Sequence, residues 1–177
     1  MLRRMRCLRM ALACAMALFG GAAAGQWAPE AAHASLAACY CVISVDYPHA
    51  SHHVGGTINV SGRVDCEQRM ESIFIRLYLH KQGGGEWPGT PASMNNASYL
   101  KANAAAPCSV GPGQFWGEAR VTAVPPAGWT PRSATGSANG FVIPLACGNA
   151  LTDGEDGDAL RATVERSTMT FESNAQE

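Results

Sequence analysis

Apolar residues recur at every second position over several separate stretches, and this restricts the chain to extended structure. Successive side chains of a strand point to opposite faces, whereas a helix would call for a spacing of three and four. Residues 57–64 place Ile58, Val60, Gly62 and Val64 on one face and Thr57, Asn59, Ser61 and Arg63 on the other. Residues 72–81 turn Ile73, Ile75, Leu77 and Leu79 inward and Phe74, Arg76, Tyr78 and His80 outward. Residues 114–124 set Phe115, Gly117, Ala119, Val121 and Ala123 against Trp116, Glu118, Arg120 and Thr122. Residues 40–45 contribute Cys41, Ile43 and Val45, and residues 139–147 contribute Phe141, Ile143 and Leu145. Pro144 cannot donate to a ladder, which confines its strand to an edge.

Turn-forming residues separate these stretches at 49–56, 67–71, 83–85 and 125–138. Together with a weaker strand at 97–101 they predict an all-β fold, an immunoglobulin-like antiparallel β-sandwich of six to seven strands. Residues 82–113 are long for a loop and are expected to hold one or two short edge strands. Trp87 and Trp129, near Pro88 and Pro131, read as loop plugs.

The first residues carry an address. Arg3, Arg4, Arg6 and Arg9 precede an apolar run from Met10 to Ala24, and Ala-x-Ala sites end at Ala24 and Ala34. A basic segment, a short apolar segment and small-residue sites make up a secretory signal peptide. Residues 1–34 are therefore expected to be removed after Ala24 or Ala34, leaving a secreted, extracellular chain. That run is shorter than the ~20 residues of a spanning helix. Residues 1–34 hold 4 of the 13 basic and 1 of the 14 acidic residues, which leaves 9 against 13, or −4, from Ser35 onward. From Asn149 the count is 2 against 7, or −5, so residues 35–148 read as a nearly neutral β-sandwich domain and 149–177 as an acidic, flexible tail. A short helix near 158–166 is the competing expectation for part of that tail. Such a charge balance excludes the concentrated positive field of a nucleic-acid binder.

Cys39, Cys41, Cys66, Cys108 and Cys147 follow the signal, and an oxidising compartment favours their pairing. An antiparallel hairpin brings Cys41, early in the first strand, beside Cys66 at the end of the second. The same reasoning joins Cys108, before the 114–124 strand, to Cys147 after the next. Cys39 is left over. It follows Leu36-Ala37-Ala38, a lipoprotein-like box, so lipidation at Cys39 is the one route to a membrane that the mature chain offers.

Gly62-Arg63-Val64-Asp65-Cys66, the 73–81 strand, Trp116-Gly117 and Pro125-Pro126-Ala127-Gly128-Trp129 before a final strand ending in Cys147 carry a resemblance. Over roughly residues 57–147 the chain resembles small secreted actinobacterial β-sandwich proteins of unknown function. The resemblance implies location and fold, and no activity.

Candidate chemistry is sparse. His49, His52 and His53 occupy one predicted loop; imidazoles suit zinc, copper or nickel, but a loop does not fix their geometry and no acid or thiolate stands at ligand spacing. A solvated loop is the plainer reading, and no cofactor is expected. Phe74, Tyr78 and Trp116 point outward, alongside Arg76, His80, Glu118 and Arg120, from strands that neighbour each other in the predicted sheet. Either residues 82–113 or the tail cover these rings as a second small core, or they form a recognition face for an extracellular protein or polysaccharide. No nucleophile elbow or paired carboxylates frame a reaction, so the expectation is a non-enzymatic protein. The alternatives are a secreted protease inhibitor presenting residues 106–110, and a hydrolase with a loop-built site.

Overall fold

Alternating patterns and two cysteine pairs produce one antiparallel sheet. The computed structural model describes residues 37–51, 54–147 and 165–174. The chain divides into units Met1–His33 and Ala34–Glu177, and every described residue belongs to the second. The expected signal peptide lies outside the described residues, as does 148–164 of the expected tail.

Ten strands are present among the described residues, against the six or seven expected. In chain order they are β1 (Ala38–Val45), β2 (His49–Ala50), β3 (Thr57–Lys81), β4 (Glu86–Pro88), β5 (Ala92–Pro107), β6 (Gly113–Val124), β7 (Trp129–Thr130), β8 (Ala134–Asn139), β9 (Ile143–Leu145) and β10 (Glu165–Ser173). A 3-10 turn, Cys108–Val110, joins β5 to β6. The sheet runs β7-β10-β1-β3-β6-β8, with β2, β4 and β5 also on β3 and β9 on β6, and it curls into a half-barrel.

The longest strand, β3, runs straight through an expected turn. Residues 57–64 and 72–81 are not separated by a turn at 67–71; β3 runs through all 25 positions. Asp65 faces Tyr99 and Met70 faces Ala97, so residues 66–69 of β3 oppose the single residue Ser98. The extra residues form a bulged corner, and Arg69 Nη1 donates to the Asn96 carbonyl across it at 2.7 Å. The inward set changes phase there, from Ile58, Val60 and Val64 to Ile73, Ile75, Leu77 and Leu79, all buried. At this corner β3 exchanges one neighbour for another: β1 pairs with it up to Cys66, and β6 from Ser72.

Bending brings the halves of β3 face to face. A Cβ on Gly62 would stand 2.6 Å from Leu77 Cδ1, and one on Gly117 2.6 Å from Val60 Cγ2, so both inward glycines mark the closest approach. β8 and β10 meet across the core at Gly136, where a Cβ would lie 2.9 Å from Ile43 Cδ1 and 3.0 Å from Met169 Cγ. Each fully buried aliphatic or Phe side chain here stabilises by roughly 1.5–3 kcal/mol.

Residues 165–174 overturn the tail assignment for that stretch, and helix is absent from 165 and 166. Arg166-Ser-Thr-Met-Thr-Phe-Glu alternates, burying Met169 and Phe171. β10 pairs with the whole of β1, from Ala38↔Glu172 to Val45↔Glu165. Residues 82–113 hold the short β4 and a 16-residue β5 that absorbs the expected strand at 97–101. Trp87 and Trp129 sit in β4 and β7 and pack against the core instead of plugging loops. Phe141 is exposed, contrary to its expected inward side, because the chain leaves the ladder between β8 and β9. Pro144 does occupy an edge strand, since β9 pairs only with β6.

The disulfides are Cys41–Cys66 and Cys108–Cys147, as the hairpin argument requires. Cys41 and Cys66 are direct register partners on β1 and β3. Each bridge stabilises by about 2–4 kcal/mol, and such bonds belong to an oxidising compartment.

Candidate functional site

The outward residues of β3, β6 and β8 form a grid because the three strands are in fixed antiparallel register. Phe74 lies beside Thr122, and Thr122 beside Thr135. Arg76, Arg120 and Ser137 make the next row, then Tyr78, Glu118 and Asn139, then His80 and Trp116. On the other edge of β3, Pro88 flanks Tyr78, Glu86 flanks His80 and Ser93 flanks Phe74. Residues 82–113 therefore extend the sheet sideways as β4 and β5, and Phe74 remains 41% exposed. Tyr78, His80 and Trp116 are half-buried.

Part of that shielding comes from the side chains themselves. The His80 ring stacks on Trp116 with centroids 5.1 Å apart and lies 6.3 Å from Tyr78. The Arg120 guanidinium carbon stands 4.4 Å from the Tyr78 ring centre, and that of Arg76 5.4 Å from the same ring. Both are cation–π distances. Glu118 joins the two groups of rings: Oε1 accepts from Arg120 Nε at 2.6 Å, and Oε2 accepts from Arg120 Nη2 at 2.9 Å. His80 Nε2 lies 3.1 Å from the same Oε2, and His80 Nδ1 3.7 Å from Glu86 Oε2. The Arg120 hydrogen bond holds the Glu118 carboxyl below its ordinary pKa against the opposing effect of burial, with His80 adding to the depression. Arg120 is raised in turn, chiefly by that same hydrogen bond.

A shallow groove of about 390 Å³ runs along this face, lined by Phe74, Glu118, Arg120, Thr122, Thr135 and Ser137. One aromatic edge, three hydroxyls, a guanidinium and a carboxylate can meet a ligand that carries both apolar faces and hydroxyls. A reaction would need an activated nucleophile as well. Both His80 ring nitrogens face carboxylates, and among the described residues neither is hydrogen-bonded to a hydroxyl or thiol.

The grid brings together all five residues singled out in sequence: Phe74, Arg76, Tyr78, Trp116 and Arg120. His80 and Glu118, expected on the same face, connect them, and the grid adds Thr135, Ser137 and Glu86, which sequence reasoning missed. Residues 134–139 look like a turn because the inward partners of Thr135 and Ser137 are Gly136 and Ala138, whose hydropathy is too weak to mark a strand. The alternation is nonetheless present in Thr135-Gly-Ser-Ala-Asn139.

The other candidates separate. His49 is half-buried in β2, its Nδ1 3.3 Å from the Tyr47 carbonyl oxygen and its ring edge-on to Tyr47. His52 and His53 lie outside the described residues, and among the described residues no three His, Cys, Asp or Glu side chains converge as metal ligands. Cys39 is a buried free thiol in β1, in register with Phe171, and burial pushes its pKa up. In the stretch weighed as an inhibitor loop, Ala106 is buried, Pro107 ends β5 and Cys108–Val110 is the 3-10 turn. Lys81 Nζ donates to the Val110 carbonyl there at 2.6 Å. No protein-family model matches the chain, and no curated protein or solved structure matches it.

Proposed function

We propose that this is an exported, non-enzymatic recognition protein that binds polysaccharide on the outer face of β3, β6 and β8. The observation that carries the reading is the groove: an exposed Phe74 edge faces the hydroxyls of Thr122, Thr135 and Ser137 across a sheet whose strands are locked in register. A rigid sheet holds such groups without the ordering cost of a loop. Beneath the groove β3 and β6 are hydrogen-bonded on both edges and β8 on its β6 edge, so a peptide has no free ladder to join at the groove's centre. Export is supported by the amino-terminal pattern and by two disulfides in one small domain. An immunoglobulin-like sandwich remains the architectural reading for the curl, supported by the approach of β8 to β10 across the core. The likeness to small secreted actinobacterial β-sandwich proteins belongs to the same proposal.

Incubation of the full chain with a panel of insoluble glycans tests it. The chain is expected to leave the supernatant with at least one glycan, and Phe74→Ala is expected to weaken retention severalfold while keeping the unfolding midpoint. No depletion by any glycan overturns the reading. Loss of a secreted protease's activity in the same mixture selects the inhibitor alternative, and turnover of a glycan selects the hydrolase.

A further inference from the structure

Arg76 and Arg120 stand directly opposite each other on β3 and β6. Like charges in that relation destabilise a sheet unless something neutralises them. Only one of the two is neutralised. Glu118 gives both of its oxygens to Arg120, and the second is shared with His80. Arg76 has no ion pair among the described residues, and its Nε is shielded from solvent without a hydrogen-bond partner. A half-buried guanidinium with an unmet donor, held against a second cation over the shared Tyr78 ring, is a local conflict that a purely structural face would avoid.

From this conflict we infer that the face takes an anionic polysaccharide, one bearing carboxylate or sulfate groups, with Arg76 as the residue that receives the anion. The inference rests on the polysaccharide reading above and adds the charge of the ligand. A guanidinium binds a carboxylate or sulfate through paired N–H donors, and Arg76 is the member of the pair that no carboxylate engages among the described residues. Arg120 adds to the local positive potential while its Nε and Nη2 stay on Glu118. The neighbouring groove, with Phe74 at its edge and the hydroxyls of Thr122, Thr135 and Ser137 along it, then follows the sugar units on either side of the acid group. An acidic peptide would satisfy Arg76 but finds no free ladder on β3 or β6 beside it.

The test uses the full chain with polygalacturonate, its methyl ester and an acidic peptide of similar charge density, read by calorimetry and by the thermal unfolding midpoint. Polygalacturonate is expected to bind and to raise the midpoint, and the fully esterified polymer to bind at least about tenfold more weakly. Arg76→Gln is expected to lose at least about tenfold in affinity for the acid polymer, with Arg76→Lys recovering part of it. The midpoint of ligand-free Arg76→Gln is expected to stay at or above that of the parent chain, since a like-charge pair is removed, and this separates a lost contact from a lost fold. Equal binding of the acid and esterified polymers overturns the anionic inference and leaves the polysaccharide reading standing. An Arg76→Gln protein that binds the acid polymer as tightly as the parent overturns the assignment to Arg76 and leaves the polysaccharide reading standing. A parent chain that binds none of the three overturns the anionic inference, and binding of the peptide alone overturns both.

Discussion

Glu118 is the side chain on which the outer face turns. It neutralises Arg120, orients His80 against Trp116 and leaves nothing for Arg76. Its folded pKa lies below its ordinary value of 4.5, chiefly through the hydrogen bond from Arg120. A depressed carboxyl contributes stability that is fully present above the unfolded value and is lost as pH falls through the folded one. The stability gap between the parent chain and Glu118→Gln should therefore be widest at neutral pH and should narrow steadily below pH 4.5, as read by urea unfolding at a series of pH values. A gap that does not change with pH would remove the ion pair from the account. Cys39 presents the opposite case: burial raises its pKa, so the neutral thiol is the form the core holds.

Strands were legible where inward positions carry Ile, Leu, Val or Phe and obscure where they carry Ala, Gly or Ser. β1 and the halves of β3 announce themselves through large aliphatic residues at period two, and β6 through Phe115 and Val121 set against a polar and aromatic opposite face, and with them the two bridges and the aromatic face. The long β5 buries Ala97, Leu100, Ala102, Ala104 and Ala106, and so many alanines blur into an unpatterned small-residue run. Its hydrogen bonds to β3 settle its conformation instead. Residues 67–71 look like a turn because they are polar, yet a bulge places polar residues inside a continuous strand just as well. β10 was hidden by acidity: six of the seven acidic residues after Asn149 lie outside it or at its first position, and they disguise the Met169 and Phe171 pattern. At this scale Phe171→Ala is the decisive substitution. Phe171 is fully buried against the β1 register, and its truncation should cost about 3–5 kcal/mol in chemical denaturation. A change below about 0.5 kcal/mol, the size typical of a surface position, would return this segment to the status of a tail.

Across the whole molecule the sheet is held as one object by its ends. β10 lies between β1 and β7, and the Ala37 amide donates to the Ser173 hydroxyl at 3.0 Å over 136 positions of sequence. Deleting residues 165–174 should strip β1 of its outer neighbour, expose the Cys39 and Ile43 side of the core and leave a long unpaired edge. The expected result in size-exclusion chromatography is association or precipitation where the full chain elutes as a smaller species; an unaltered elution volume with an unaltered unfolding curve would contradict it. Pairing of the earliest described strand with the latest has a consequence for timing. Any β1–β3 hairpin formed first keeps one flank of β1 unzipped until residues 165–173 are at hand, so the seam that joins the most distant described strands is the one that chain order makes last to close.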